Sequence, residues 1–211
     1  SVNSEFQHEY DREPINGIKG EVVSFTVDQL KQFALVLTPA GATPATGWPV
    51  LIFNHGHHPS PPDYGRVNGV TDRPGNYYRQ VPIAFARQGF LVVVPDFRGH
   101  NDSQGLEFTH GLLEAYWYTR DSIATFKALH SLPAADTSNV FMWGHSMGGE
   151  VTLRALLALG SSIQGASIWS ASSGSAWEKA MHFSLGINAT EDELHTEKPA
   201  IIQLQNDIDE L

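Results

Sequence analysis

The chain has 211 residues, 41% hydrophobic and 17% charged, enough apolar content to bury one sizeable core as a single domain over residues 1–211, with 1–20 as an N-terminal extension. Its formal charge of -10 excludes the basic footprint of a nucleic-acid binder, and zero cysteines exclude disulfides and thiolate metal ligands. No apolar run reaches bilayer-spanning length and residues 1–5 lack the basic and apolar regions of a signal peptide, so the chain is expected to be soluble, either cytoplasmic or secreted with a leader removed.

In chain order, residues 21–27 and 33–38 read as an antiparallel strand pair joined through Asp28-Gln29-Leu30. A connector rich in proline, glycine, alanine and threonine follows at 39–49. The run Val50-Leu51-Ile52-Phe53 is too short and too continuously apolar for a surface helix and predicts a buried strand. A polar, proline-rich loop fills 57–75, and the spacing of apolar residues predicts a helix over 76–88, stopped by Gly89. Residues 90–94 form the next predicted strand, ending at Pro95-Asp96. A long amphipathic helix is predicted over 112–132, a strand over 139–143, and a helix over Met147–Leu159 capped by Gly160. A strand at 166–169, one or two helices within 177–194 and a strand at 200–204 complete the pattern. Buried strands alternating with helices imply an α/β fold, a mostly parallel sheet flanked by helices on both faces.

One motif carries chemistry. Gly144-His145-Ser146-Met147-Gly148 stands between the apolar run Val140-Phe141-Met142-Trp143 and the amphipathic helix that follows. A serine on a sharp strand-to-helix turn needs small residues two places to either side, so that neighbouring backbone can pass close to it. The turn lifts the hydroxyl into the open and aims the first N–H groups of the helix at the space beside it. Ser146 is therefore the candidate nucleophile.

Four segments in order, Asn54-His55-Gly56-His57, Pro95-Asp96-Phe97-Arg98-Gly99-His100, Gly144 to Gly149 and Lys198-Pro199-Ala200-Ile201-Ile202, together resemble the α/β-hydrolase fold, and within it the dienelactone-hydrolase and prolyl-oligopeptidase-like group of serine hydrolases. The resemblance runs from about residue 21 to the C-terminus. It implies that the backbone N–H groups of Met147 and His57 form an oxyanion hole. It makes Asp96 and Arg98 organisers of the loops beneath the site, with Arg98 meeting a substrate carboxylate as the alternative, and it turns His145 away from the attack face. His55 reads as structural; a metal site on His55, His57 and His58 is the rival to this scheme, which itself needs no metal and no cofactor.

By the fold's chain order of serine, acid and histidine, the acid follows the strand at 200–204. Asp209 is preferred there over Asp207. One more strand, the histidine and a last helix would come next, and Leu211 is reached before them, so they are expected to lie outside this chain. His182 or His195 as the base, or a base from a partner chain, is the alternative. About thirty residues separate the strands at 166–169 and 200–204, which leaves no room for a large cap. Trp177, His182 and Phe183, with Met181, Tyr64, Tyr77 and Tyr78, are candidates to line a substrate pocket. The resemblance thus implies a carboxylesterase acting on a small ester or acyl substrate through an acyl-enzyme. A prolyl-oligopeptidase-like peptidase and a non-catalytic binding protein on the same fold are the alternatives.

Overall fold

A computed structural model describes residues 5–58, 60–63, 78, 80–109 and 114–172. The chain divides into two compact units, Ser1–Ala171 and Ser172–Leu211, and the architecture below is that of the first.

Its strands are β1 (Gln7–Ile15), β2 (Ile18–Val27), β3 (Leu30–Thr38), β4 (Trp48–Asn54), β5 (Leu91–Asp96), β6 (Ala135–His145) and β7 (Gly165–Trp169). The helices are α1 (Gln80–Arg87), α2 (Glu114–Ala128) and α3 (Met147–Leu159). The strands form one sheet in the order β1-β2-β3-β5-β4-β6-β7. It is antiparallel from β1 through β2 and β3 to β5 and parallel across β5, β4, β6 and β7.

The continuous apolar runs of the central strands split by period two between two cores. Val50 and Ile52 of β4, Leu91 and Val93 of β5 and Val140 and Met142 of β6 face α2 and α3, meeting Ala124, Ala128 and Ala155. Leu51 and Phe53, Val92 and Val94, and Trp143 face the other way, where Ile83 and Ala86 of α1 cover them. Helices on both faces are what parallel strands buried on two sides require.

The predicted elements are found with shifted ends. Helix α3 has the predicted bounds, whereas α2 stops at Ala128 and passes into a 3-10 turn over Leu129–Ser131. Strand β6 starts four residues earlier than expected, since its polar first half pairs with the start of β4 without being buried. The β2–β3 turn is Asp28-Gln29, both at positive φ, so Leu30 belongs to β3. Strand β1 lay outside the predicted elements. It is polar and mostly exposed, and Asn16-Gly17, both at positive φ, turn it back onto β2.

Candidate active site

The parallel strands end on one edge of the sheet, and β4, β5 and β6 bring three chemistry-bearing loops there. Strand β6 ends at His145 and α3 begins at Met147, with Ser146 between them at φ 55 and ψ -123. That conformation is strained for a residue with a side chain and persists only where the surroundings enforce it. Here the Ser146 N–H donates to the Trp169 carbonyl at the end of β7 (2.9 Å), and the Ser146 carbonyl accepts from the N–H groups of Gly149 (2.9 Å) and Glu150 (3.2 Å).

The two glycines of the motif are required by contact. A Cβ on Gly144 would lie 2.2 Å from the Gly148 carbonyl oxygen, and one on Gly148 would lie 2.1 Å from the Asn54 and 2.4 Å from the His55 carbonyl oxygens. The loop after β4 therefore runs against the first turn of α3, which carries the Met147 N–H.

Beneath this contact lies a buried hydrogen-bonded set. Asn54 Nδ2 donates to Thr152 Oγ1 (2.9 Å), Thr152 Oγ1 donates to the Gly148 carbonyl (2.8 Å), and Ser122 Oγ donates to Asn54 Oδ1 (2.9 Å). On the other side of the turn the Tyr78 hydroxyl hydrogen-bonds His145 Nδ1. Tyr78 packs on Phe53 and Trp143 in the core, so it supports the elbow from below.

The histidines of the β4 loop have separate surroundings. His55 is fully buried with Nδ1 at the Gly56 carbonyl (2.9 Å), and burial pushes it down to about 4. It packs against His100 at 4.7 Å between ring centres, and burial likewise holds His100 well below the ordinary imidazole value. His57 is half-exposed, with Nδ1 3.7 Å from a Glu114 carboxylate oxygen at the start of α2. His58 turns Nδ1 to the Ser60 backbone (2.6 Å to the carbonyl). One group among the described residues brings potential metal-ligand atoms within 4.8 Å of one another: His8, Asp11 and Glu21, at the β1–β2 edge of the sheet.

Arg98 follows β5 and is buried. Its Nε and Nη2 fork onto Asp121 (2.6 Å at the shortest), Nη2 also reaches Asp28 (3.0 Å), and its plane lies over Phe108 and Trp117. Asp121 further accepts from the Arg98 backbone N–H (2.9 Å). Arg98 is thus an internal clamp joining the β2–β3 turn, the β5 loop and α2, the organising role expected of it.

Of the residues singled out from sequence, Ser146 and Met147 stand at the turn between β6 and α3, and the loop that carries His57 packs on Gly148 through the Asn54 and His55 carbonyls. Asp207, Asp209, Trp177, His182 and Phe183 lie outside the described residues, as do Tyr64, Tyr77, Met181, His110 and His195. Among the described residues no side chain hydrogen-bonds the Ser146 hydroxyl. The sequence pattern singles out none of the supporting groups Ser122, Thr152 and Glu114, and it marks Asn54 only as the first residue of the Asn54-His55-Gly56-His57 segment.

The profile of the family described as serine aminopeptidase, S33, matches residues 67–195, more than half of the chain. The chain belongs to this family. Its fold is that of the α/β-hydrolase serine hydrolases, as the four segments implied. Two curated relatives of this serine aminopeptidase-family chain are probable dipeptidyl-aminopeptidases B. That of Talaromyces marneffei is 30% identical over 135 residues, 63% of this chain and 14% of the relative. That of Aspergillus clavatus is 30% identical over 133 residues, 62% and 14%. The match thus spans about 14% of the length of these relatives.

Solved structures share the fold at lower identity. A hypothetical protein from Pseudomonas aeruginosa superposes with a TM-score of 0.65 at 15% identity, covering 93% of this chain and 57% of that one. An acetyl xylan esterase from Paenibacillus sp. R4 gives 0.58 at 21% identity, over 79% and 52%. Dipeptidyl peptidase 4 of Porphyromonas gingivalis gives 0.52 at 23% identity, over 72% and 20%.

Proposed function

We propose that this chain cleaves carboxylic esters through an acyl-enzyme on Ser146. The observation that carries the reading is the conformation of Ser146, φ 55 and ψ -123, on the first turn of a helix against which the β4 loop is packed. Strain of this kind is held at functional sites, and here it presents a hydroxyl beside N–H groups that no strand pairs.

In the proposed reaction Ser146 Oγ attacks the ester carbonyl carbon and its proton passes to an imidazole base. The carbonyl oxygen becomes an oxyanion accepting from the Met147 and His57 N–H groups, each donor of this kind contributing about 3 kcal/mol to the barrier reduction. The carbon–oxygen bond to the alcohol breaks, the alcohol leaves with the proton, and water repeats the sequence to free the acid. Asp209, with Asp207 as the alternative, orients the base. In this reading the acyl or alcohol group would be held by Trp177, His182 and Phe183.

A second reading has its own support, since the family is named for aminopeptidases and the curated relatives are dipeptidyl-aminopeptidases. The same nucleophile and oxyanion hole would then act on an amide. Fluorophosphonate treatment followed by mass spectrometry, with turnover of p-nitrophenyl esters against aminoacyl-p-nitroanilides, tests both. Labelling of the Ser146 peptide with ester turnover supports the first reading and anilide turnover alone the second. A protein that holds the imidazole base and still takes no label would leave a binding protein on the same fold.

A further inference from the structure

We infer that Asn54, Thr152 and Ser122 are positioning residues that set the spacing between the two halves of the oxyanion hole, an inference that rests on the acyl-transfer reading above. The two proposed N–H donors come from segments 90 residues apart in sequence, Met147 on α3 and His57 after β4. An oxyanion is held well only if both point at one oxygen within a few tenths of an ångström. Backbone contact at Gly148 fixes the closest approach of the segments, but a contact alone permits sliding along the strand or rotation of the helix.

The side chains remove those freedoms. Asn54 is the last residue of β4, three before His57. Its amide bonds Thr152 in the second turn of α3 through Nδ2 (2.9 Å) and Ser122 in the middle of α2 through Oδ1 (2.9 Å). Thr152 passes the connection on to the Gly148 carbonyl (2.8 Å), so the set ends on the residue next to Met147. Asn54, Ser122 and Thr152 are each completely buried. Their bonds are directional, and the two made by the Asn54 amide join three elements, β4, α2 and α3.

Burying three polar side chains is a weak route to stability, since shape-matched apolar groups could fill the same space at little net cost. Directional bonds instead select one relative placement of strand and helix, and the oxyanion hole is the feature of this edge that needs a single placement. The Ser122 bond keeps the amide from flipping, because exchanging its oxygen and nitrogen would set acceptor against acceptor at Thr152, whose proton goes to the Gly148 carbonyl, and would leave the Ser122 hydroxyl without its acceptor.

The test is kinetic. In Thr152→Val the shape is kept and the hydroxyl lost. For p-nitrophenyl acetate kcat should fall about ten- to a hundredfold, the scale for slightly misplaced catalytic groups, with KM within about twofold. Thr152→Ser should restore kcat to within about threefold of wild type. Ser122→Ala, at the far end of the set, should lower kcat severalfold and serves where Thr152→Val does not fold, as judged by thermal melting.

Unchanged kcat in both folded variants, with only a lower melting temperature, overturns the inference and leaves the set structural. Failure of Thr152→Ser to rescue does the same. A wild-type protein that holds the imidazole base and still neither turns over the substrate nor takes the fluorophosphonate sinks the acyl-transfer reading and this inference with it. A reactive wild type with kinetically normal variants sinks the inference alone.

Discussion

Gly148 and Asn54 touch through their backbones so closely that a Cβ on Gly148 would sit 2.1 Å from the Asn54 carbonyl oxygen. The obstacle is main chain at the end of a buried central strand, which no rotamer change can move.

Gly148→Ala is therefore expected to push α3 away from β4 or prevent folding altogether. Overpacking of this kind costs about 1–3 kcal/mol where the structure can relax and more where backbone opposes backbone. Soluble yield and the urea midpoint should both drop, and any folded fraction should lose fluorophosphonate labelling. A Gly148→Ala protein with wild-type midpoint and labelling would show that the contact is looser than described.

Ser146→Gly should separate stability from reactivity. Positive φ at Ser146 costs about 1–3 kcal/mol, and glycine removes that cost while giving back about 0.5–1 kcal/mol in chain entropy. The variant is expected to gain on the order of 1 kcal/mol in a urea melt and to be inert to the probe. A variant less stable than wild type would mean that the serine side chain has a stabilising partner.

The sheet and the elbow are legible in the sequence for a physical reason: strands buried on both faces are uninterrupted apolar runs, and backbone crossings at the elbow admit only glycine at 144 and 148. Strand β1 is harder to read, because it is an exposed edge held by backbone pairing and its side chains are mostly polar. Asn16-Gly17 was its available signal, a two-residue hairpin turn in sequence terms. The supporting set of Asn54, Ser122 and Thr152 could not be read from local pattern, since its bonds join residues 68 and 98 positions apart. A serine and a threonine on an amphipathic helix look like ordinary polar positions until the helix is docked. Arg98 was legible only through resemblance; its partners Asp28 and Asp121 lie 70 and 23 positions away.

Arg98 should be irreplaceable even by lysine. Its guanidinium forks onto Asp121 and reaches Asp28 while lying over two aromatic rings, and an ammonium can reproduce neither the fork nor the plane. Removing one partner of a buried ion pair costs about 3–5 kcal/mol, because the other charge stays buried. Arg98→Ala is expected to lose that much in urea unfolding, and Arg98→Lys most of it. If Arg98→Lys unfolds within about 1 kcal/mol of wild type, the clamp depends on charge rather than geometry.

Acid should weaken the fold in a window set by the buried imidazoles. Burial lowers His55 from 6.5 to about 4, so the folded state excludes a proton that the unfolded chain accepts. Its contribution is full above pH 6.5, declines as pH falls toward about 4, and is level below that. The shift corresponds to a loss on the order of 3 kcal/mol. His100 is lowered by burial as well, and its ring lies 4.7 Å from His55, so protonating one imidazole makes protonating the other harder. Asp28, held down to about 2 chiefly by its bonds from Arg120 against the opposing effect of burial, acts in a separate, more acid range. Its contribution is present above its unfolded value of 3.8 and is lost as pH falls through about 2. Urea midpoints of the wild type at pH 7.5, 5.5 and 4.5 should therefore fall steadily. His55→Asn, which has no group to protonate there, should fall less steeply over the same steps. Equal slopes for the two proteins would show that His55 does not govern the acid sensitivity.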